Sequence, residues 1–380
     1  MKIMKLEGSS FLGGLALAGM AFSGCSSSSV VEPREREIEA LTELCQALQD
    51  VTIYGAPRDA IPALTDPTLV AATDDEADYL LPTDRVIGLN LPSGFLAVPH
   101  NILWWHEIVN LTDFNLAVTY CPLTGSSMVF HRAVVDGADF GVSGLLFKNN
   151  LVMYDRKEFL SEPTTLWPQM LAAGRCGPLE PKALTMFPII EMEWEDWVEL
   201  HPDTRVVSKR TGLSRLYRAD LYPYGDYEVE DNASFLYPVS NLDLRRPPKE
   251  RVLGIPDGEG GGIAFPFGVL RDLGDIAAIH VTFGGSEQES PGTLEPMVVF
   301  WDKGAEAAMA YQPWVGSTDL TFEVVNGVFV DLETGSEWSI DGHALSGKLA
   351  GQRLGMIREA YVSFWFAFAA FFPDPVIWTP

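Results

Sequence analysis

The stretch LAVPHNIL, residues 96–103, returns as IAFPFGVL at residues 263–270. In both, an apolar strand runs into a proline, which has no amide hydrogen to continue a ladder, and a short apolar segment of helical character follows. Other stretches repeat in the same order. AVTYC (117–121), with its Gly/Ser turn and second strand, corresponds to MVVFW (297–301) followed by Lys303-Gly304 and AEAAMAY. FGVSGLLFKNNLVMYDR (140–156) corresponds to FEVVNGVFVDLETGS (322–336), with hairpin turns expected at Asn149-Asn150 and Asn326-Gly327, and Trp167 then answers to Trp338. WEDWVELHPDTRVV (194–207) corresponds to FWFAFAAFFPDPVIW (364–378). Ordered self-similarity of this kind is the mark of a duplicated unit.

Strands dominate each copy and their connections read as hairpins, without the strand-helix-strand alternation of a parallel sheet. The expected fold is α+β, mostly antiparallel β, made of two pseudo-repeats of one β-rich unit with short helices. Repeat 1 is expected over 80–208 and repeat 2 over 262–380. Between them, 209–261 reads as an insertion and linker: a Tyr/Pro-rich loop followed by RRPPKERVLGIPDGEGGG, residues 245–262. The apolar run from Tyr361 to Phe372 is too short for a membrane span and ends in Pro373-Asp374, so a buried core helix is expected.

The N-terminus carries Lys2 and Lys5, then the apolar FLGGLALAGMAF (11–22), then FSGC and a serine tract. Residues 1–24 resemble a bacterial lipoprotein signal peptide, although Phe22 stands where that motif usually has Leu, Val or Ile. The resemblance implies lipidation of Cys25, a flexible tether over 25–34, and a lipid-anchored place in the cell envelope, at the outer membrane or periplasmic face if the cell is Gram-negative. The membrane is then a partner. An ordinary secretory signal is the alternative. Residues 35–79 read as a helical and extended segment in which EREIEALTELCQALQ (35–49) is an amphipathic helix with Cys45 on its apolar face.

Lys and Arg number 26 against 52 Asp and Glu, a formal net charge of −26 that disfavours nucleic-acid partners. Neither a phosphate loop nor a nucleophile elbow is present: GEGGG (258–262) precedes a strand, and GVSGL (141–145) lacks the second glycine.

The motifs LWWHEIVN, VTYCPLTGSS, FGVSGLLFKNNLVMYDR, HPDTRVV, ETGSEWSIDGHALSGKLAGQRL and SFWFAFAAFFPD together resemble the bacterial domain of unknown function 3179 family, over about residues 80–378. The resemblance implies no established activity. Members commonly carry a second cysteine three residues after the first, and this chain has Thr124 there.

Cys121 admits three readings. As a thiol redox site, it is the nucleophile, Thr124 its hydrogen-bond partner and His106 a base, with Cys176 as a distant resolving thiol. As a metal site, Cys121 joins His106 and His131, or His100, in a donor set suited to copper or zinc. As a structural residue, it is a buried thiol or bridges to Cys176. The matched stretches set Trp301 opposite Cys121 and Phe372 opposite His201, and the ungapped continuation from Leu103 and Leu270 sets Leu273 opposite His106, so polar residues of the first copy have apolar counterparts. His201-Pro202-Asp203 reads as a helix stop. No cofactor is required by the sequence. The alternative to an enzyme is a non-catalytic envelope binding or scaffold module of unknown ligand, with a groove drawn from Trp104, Trp105, Trp167, Trp194 and Trp197.

Overall fold

Pro99 ends the strand Gly94–Pro99 and occupies the N-cap of the helix His100–His106; Pro266 does the same between Gly262–Pro266 and Phe267–Arg271. The computed structural model describes residues 52–54, 56–157, 164–284 and 294–380, and within them the chain is mostly strand, in several antiparallel sheets with few short helices. The signal, the tether and the 35–49 helix lie outside the described residues.

Two sheets share one set of pairings. Arg85–Leu91 lies antiparallel between Gly94–Pro99 and Ile190–Glu193, while Arg205–Val207 runs parallel to Gly94–Pro99. Arg251–Pro256 lies antiparallel between Gly262–Pro266 and Tyr361–Phe364, while Val376–Ile377 runs parallel to Gly262–Pro266. These parallel pairs depart from the all-hairpin expectation. Each arises where the chain crosses back by an aromatic helix, Trp194–Leu200 or Trp365–Phe371, which hairpin reasoning does not anticipate. Arg251–Pro256 also overturns part of the linker expectation. Its Gly254 and Pro256 read as loop residues, yet Gly254 is needed because a Cβ there would lie 2.3 Å from the Phe368 ring.

Four further units each hold three antiparallel strands, and the two from the N-terminal half gain a fourth, Leu64–Thr65 beside Ile108–Leu111 and Thr52–Tyr54 beside Phe140–Phe147. Leu116–Cys121 pairs with Ile108–Leu111 and Ser126–His131; Leu294–Asp302 pairs with Ile276–Gly284 and Ala307–Tyr311. Asn150–Asp155 pairs with Phe140–Phe147 and Leu166–Pro168; Val328–Asp331 pairs with Phe322–Val325 and Glu337–Trp338. In these last two units the tryptophan indole N–H donates to the strand's terminal aspartate, Trp167 to Asp155 at 3.1 Å and Trp338 to Asp331 at 3.0 Å.

Register corrects two details of the alignment. Asn326-Gly327 forms its hairpin turn with φ of 53° and 79°, as expected, but the other turn falls one residue early, at Lys148 and Asn149 with φ of 51° and 65°. Asn150 is thereby released to point its amide into the core. Cys121 pairs with Ser126 and Asp302 pairs with Ala307, each across four intervening residues. By place in the ladder, Cys121 corresponds to Asp302 and Tyr120 to Trp301, which differs from the alignment of Cys121 with Trp301.

The halves are crossed. The Phe364 N–H donates to the Thr124 carbonyl at 2.8 Å, and the Glu193 N–H donates to the Ala305 carbonyl at 3.1 Å, so a strand of each half lies against the hairpin of the other. Both hydrophobic clusters draw on both halves: one runs from Leu64 to Val362, and the other packs Cys121 and Trp167 against Phe364 and Phe368. The run from Tyr361 to Phe372 does hold a buried core helix, but only over Trp365–Phe371, since Tyr361–Phe364 is a strand; among the described residues no helix is long and apolar enough to cross a membrane.

Gly88 and Gly254 sit in the two central strands beneath aromatic rings, Trp197 and Phe368, each of which would lie 2.3 Å from an added Cβ. Gly88→Ala and Gly254→Ala are each expected to cost about 1–3 kcal/mol through overpacking, read as a lowered denaturant midpoint. An unchanged midpoint in both variants would show that the aromatic helices do not pack as described.

Candidate functional site

Cys121 closes the strand Leu116–Cys121 and is fully buried. Its sulfur accepts the Leu151 N–H at 3.3 Å and faces the Asn149 carbonyl at 3.8 Å. Burial pushes the thiol up to about 11, the carboxyl of Glu107 adds to that, and the Thr124 hydroxyl and Leu151 N–H oppose it. At neutral pH the group is a protonated thiol. Cys121 is free, whereas Cys176 is disulfide-bonded. This overturns the Cys121–Cys176 bridge considered from sequence, and it leaves Cys176 without the thiol a resolving role needs.

Thr124 does stand beside the thiol, but its hydroxyl belongs to a buried polar network. It lies 2.9 Å from Ser126 Oγ and accepts from Asn150 Nδ2 at 3.0 Å. Gln169 Oε1 receives Ser126 Oγ at 2.6 Å and Asn150 Nδ2 at 2.8 Å, while Gln169 Nε2 donates to Thr119 Oγ1 at 2.8 Å. Every member is buried and bonded, so the network fixes the Cys121 turn.

His106 is not joined to Cys121 by a hydrogen bond. Its Nδ1 lies 2.7 Å from the Pro62 carbonyl and its Nε2 2.7 Å from Tyr217 Oη, which occupies both ring nitrogens. His131 packs its ring against Phe187, and His100 lies 3.5 Å from Glu191 and stacks on Tyr120. Among the described residues, the only three donors close enough to share an ion are Glu193, Glu195 and Asp196, a partly exposed acidic group of which the sequence reading took no note.

The residue that sequence reasoning missed is Glu107. It follows the helix His100–His106 in the left-handed region, with φ of 56°, and is 6% exposed. Among the described residues neither a hydrogen bond nor an ion pair reaches its carboxyl, and burial raises it to about 8. It lines a cavity of about 100 Å³ with Leu123, Leu145, Leu151, Tyr224 and Tyr237. Tyr224 and Tyr237 come from the Tyr/Pro-rich insertion, whose Tyr227 hydroxyl donates to the Leu123 carbonyl at 3.0 Å and whose Tyr237 carbonyl accepts from Asn149 Nδ2 at 3.1 Å. The insertion thus covers the Cys121 turn. The sequence signal for Glu107 was a carboxylate set between the apolar pairs Trp104-Trp105 and Ile108-Val109.

A larger cleft, about 310 Å³, opens between the halves and is lined by Phe95, Phe187, Trp197, His201, Asp341 and Arg353 among others. His201 ends the helix Trp194–Leu200, as expected, and also stacks on Phe95 with ring centroids 3.6 Å apart. Its Nε2 is buried 3.4 Å from Asp341 Oδ2, without the alignment of a full hydrogen bond. Asp341 accepts from Arg353 Nη1 at 2.8 Å and from the Ser339 hydroxyl. Burial pushes its carboxyl up, but the facing His201, Ser339 and Arg353 groups outweigh it and hold the group well below the usual carboxylate range. Of the tryptophans proposed for a groove, Trp197 borders this cleft, while Trp167 is wholly buried in the core.

Two measurements check these assignments. Cys121 is expected to resist a thiol reagent in the native protein across pH 5 to 9 and to react once denaturant is added; fast native labelling lost in Cys121→Ser would mean the thiol is accessible. Glu107 holds its proton more tightly folded than unfolded, since its folded value is about 8 against an ordinary 4.5. Wild-type stability therefore falls as pH rises through that window and levels above it. Glu107→Gln is expected to be more stable than wild type at pH 9, by on the order of a few kcal/mol, and near-equal at pH 5, by urea unfolding. A pH-independent difference would place the carboxyl in water.

No curated protein and no solved structure matches the chain. Residues 58–375 match the family model described as a protein of unknown function, DUF3179, in line with the motif resemblance. The chain belongs to the DUF3179 family.

Proposed function

We propose that the protein is a lipid-anchored module of the cell envelope, built from a duplicated unit, that binds a small molecule in the cleft between its halves. The observation that carries this reading is the cleft itself: an aromatic wall of Phe95, Phe187 and Trp197 with His201, Asp341 and Arg353 converging on it. Apolar walls supply affinity and a few placed polar groups fix orientation. The Arg353 side chain is 32% exposed, so its guanidinium can exchange part of its bond with Asp341 for an anionic or carbonyl group of a ligand. The buried, protonated Cys121 favours this reading over thiol redox chemistry, which needs a reachable thiolate.

Duplication is supported by the recurring sheet pairings, the matched Trp-to-Asp bonds and the glycine beneath an aromatic ring in each central strand. Anchoring rests on the N-terminal signal and Cys25.

The test is a ligand-observed NMR screen of small organic acids and carbonyl compounds against the soluble chain lacking residues 1–25. Arg353→Ala is expected to weaken true cleft ligands about tenfold or more, on the scale of a lost charge-assisted hydrogen bond, with the fold unchanged by circular dichroism. Hits indifferent to both Arg353→Ala and Phe95→Ala would remove the cleft as the site. Anchoring is checked separately by incorporation of labelled palmitate, expected in the full chain and absent in Cys25→Ser.

A further inference from the structure

The cavity beneath the Tyr/Pro-rich insertion is distinct from the cleft and carries its own chemistry. One carboxyl, that of Glu107, borders it, and the other lining residues include the aliphatic Ile61, Leu123, Val142, Leu145, Leu146 and Leu151. A buried carboxyl without a partner is costly, and a left-handed backbone at a non-glycine residue adds to that cost. Groups held at such cost cluster at binding and catalytic sites. The covering rings of Tyr224 and Tyr237 are half-buried and Leu236 on the rim is exposed, which leaves an approach from solvent.

We propose that this cavity binds a small organic cation, a primary ammonium on a short alkyl chain, with the ammonium on Glu107 and the chain among the leucines. Three observations favour an ammonium over a metal ion. Glu107 belongs to no group of three close donors among the described residues. The wall is aliphatic, which rewards an alkyl body and offers a metal no further ligands. The lining includes two phenol rings, Tyr224 and Tyr237, and aromatic rings attract ammonium groups. Size sets the chain length: a dry cavity of about 150 Å³ accepts benzene, so about 100 Å³ suits roughly four or five heavy atoms. The net charge of −26 draws cations towards the protein.

The titratable groups that act on this carboxyl are the Cys121 thiol and the Tyr224 phenol, both neutral below pH 9 because burial raises them. Glu107 must lose its proton to hold the cation. Affinity therefore climbs about tenfold per pH unit below the ionisation of Glu107 and levels above it.

The experiment is calorimetric titration of the soluble chain with butylammonium and with its neutral counterpart butan-1-ol, at pH 6, 7, 8 and 9. The expected result is butylammonium binding that strengthens with pH to a plateau, falls at least tenfold in Glu107→Gln and is abolished by Leu151→Trp, which fills the cavity. Glu107→Gln preserves shape, and its fold is checked by circular dichroism. Binding that is equal in wild type and Glu107→Gln, alcohol binding tighter than that of the ammonium at pH 9, or no binding at any pH would each overturn the proposal. None of these outcomes bears on Arg353 and the cleft, so the two sites succeed or fail separately.

Discussion

A single buried carboxylate, Glu191, ties the two halves together. Its Oε1 accepts from Arg85 Nε and from Arg251 Nη1, each at 2.7 Å, and its Oε2 accepts from Ser127 Oγ at 2.5 Å. The two arginines open equivalent strands, Arg85–Leu91 and Arg251–Pro256, one in each sheet. Burial would raise the carboxyl, but Arg85, His100 and Arg251 hold it well below the usual range. A charge so buried is tolerable only while paired, so neither sheet can move from the other without stranding an ion, a loss of about 3–5 kcal/mol when one partner is removed. Ser127 and His100 extend the same anchor to the hairpin that carries Cys121 and to the helix that ends at Glu107.

Around that anchor the polar interior divides into two kinds. The Thr124, Ser126, Asn150 and Gln169 cluster is closed, each group spending its bonds on another, and such a cluster specifies one conformation of the Cys121 turn. Glu107 and His201 are different: among the described residues the first carboxyl has no hydrogen-bond or ion-pair partner, and the second has a nitrogen only loosely placed against Asp341. Such groups are uncommon in protein interiors, where most buried polar atoms are bonded.

Much of this fold was legible in the sequence because prolines, turn asparagines and aromatic runs each report a local constraint. Pro99 and Pro266 gave the strand ends, Asn326-Gly327 gave a hairpin, and Trp365–Phe371 proved a core helix because its length forbids anything larger. The failures are equally physical. Gly254 and Pro256 disguised a central strand, since nothing local announces that Phe368 will cover that glycine. A one-residue slip paired Cys121 with Trp301, because apolar strands match in several registers and only the ladder with Ser126 and Ala307 fixes which is correct. The site was less legible than the fold. His106 and His131 were conspicuous as residue types, yet the first spends its ring nitrogens on Pro62 and Tyr217 and the second packs on Phe187, whereas Glu107, Asp341 and Arg353 gain meaning only from what burial and the meeting of two distant segments do to them.

The crossed strands have a consequence for the order in which the molecule can be made. Thr124, in the first hairpin, waits for the N–H of Phe364, near the end of the chain, and Ala305 in turn receives Glu193. The N-terminal half emerges from the ribosome long before its sheet edge has a partner, and contacts of such sequence separation form slowly. Until the last aromatic strand arrives, the turn of the Cys121 hairpin at Thr124 lacks its cover, although Val129 to His131 are already paired with Thr185 to Phe187 of the first half. Completion is thus a single late event, and a truncated chain lacks not just its own terminal strand but the seal on its first half.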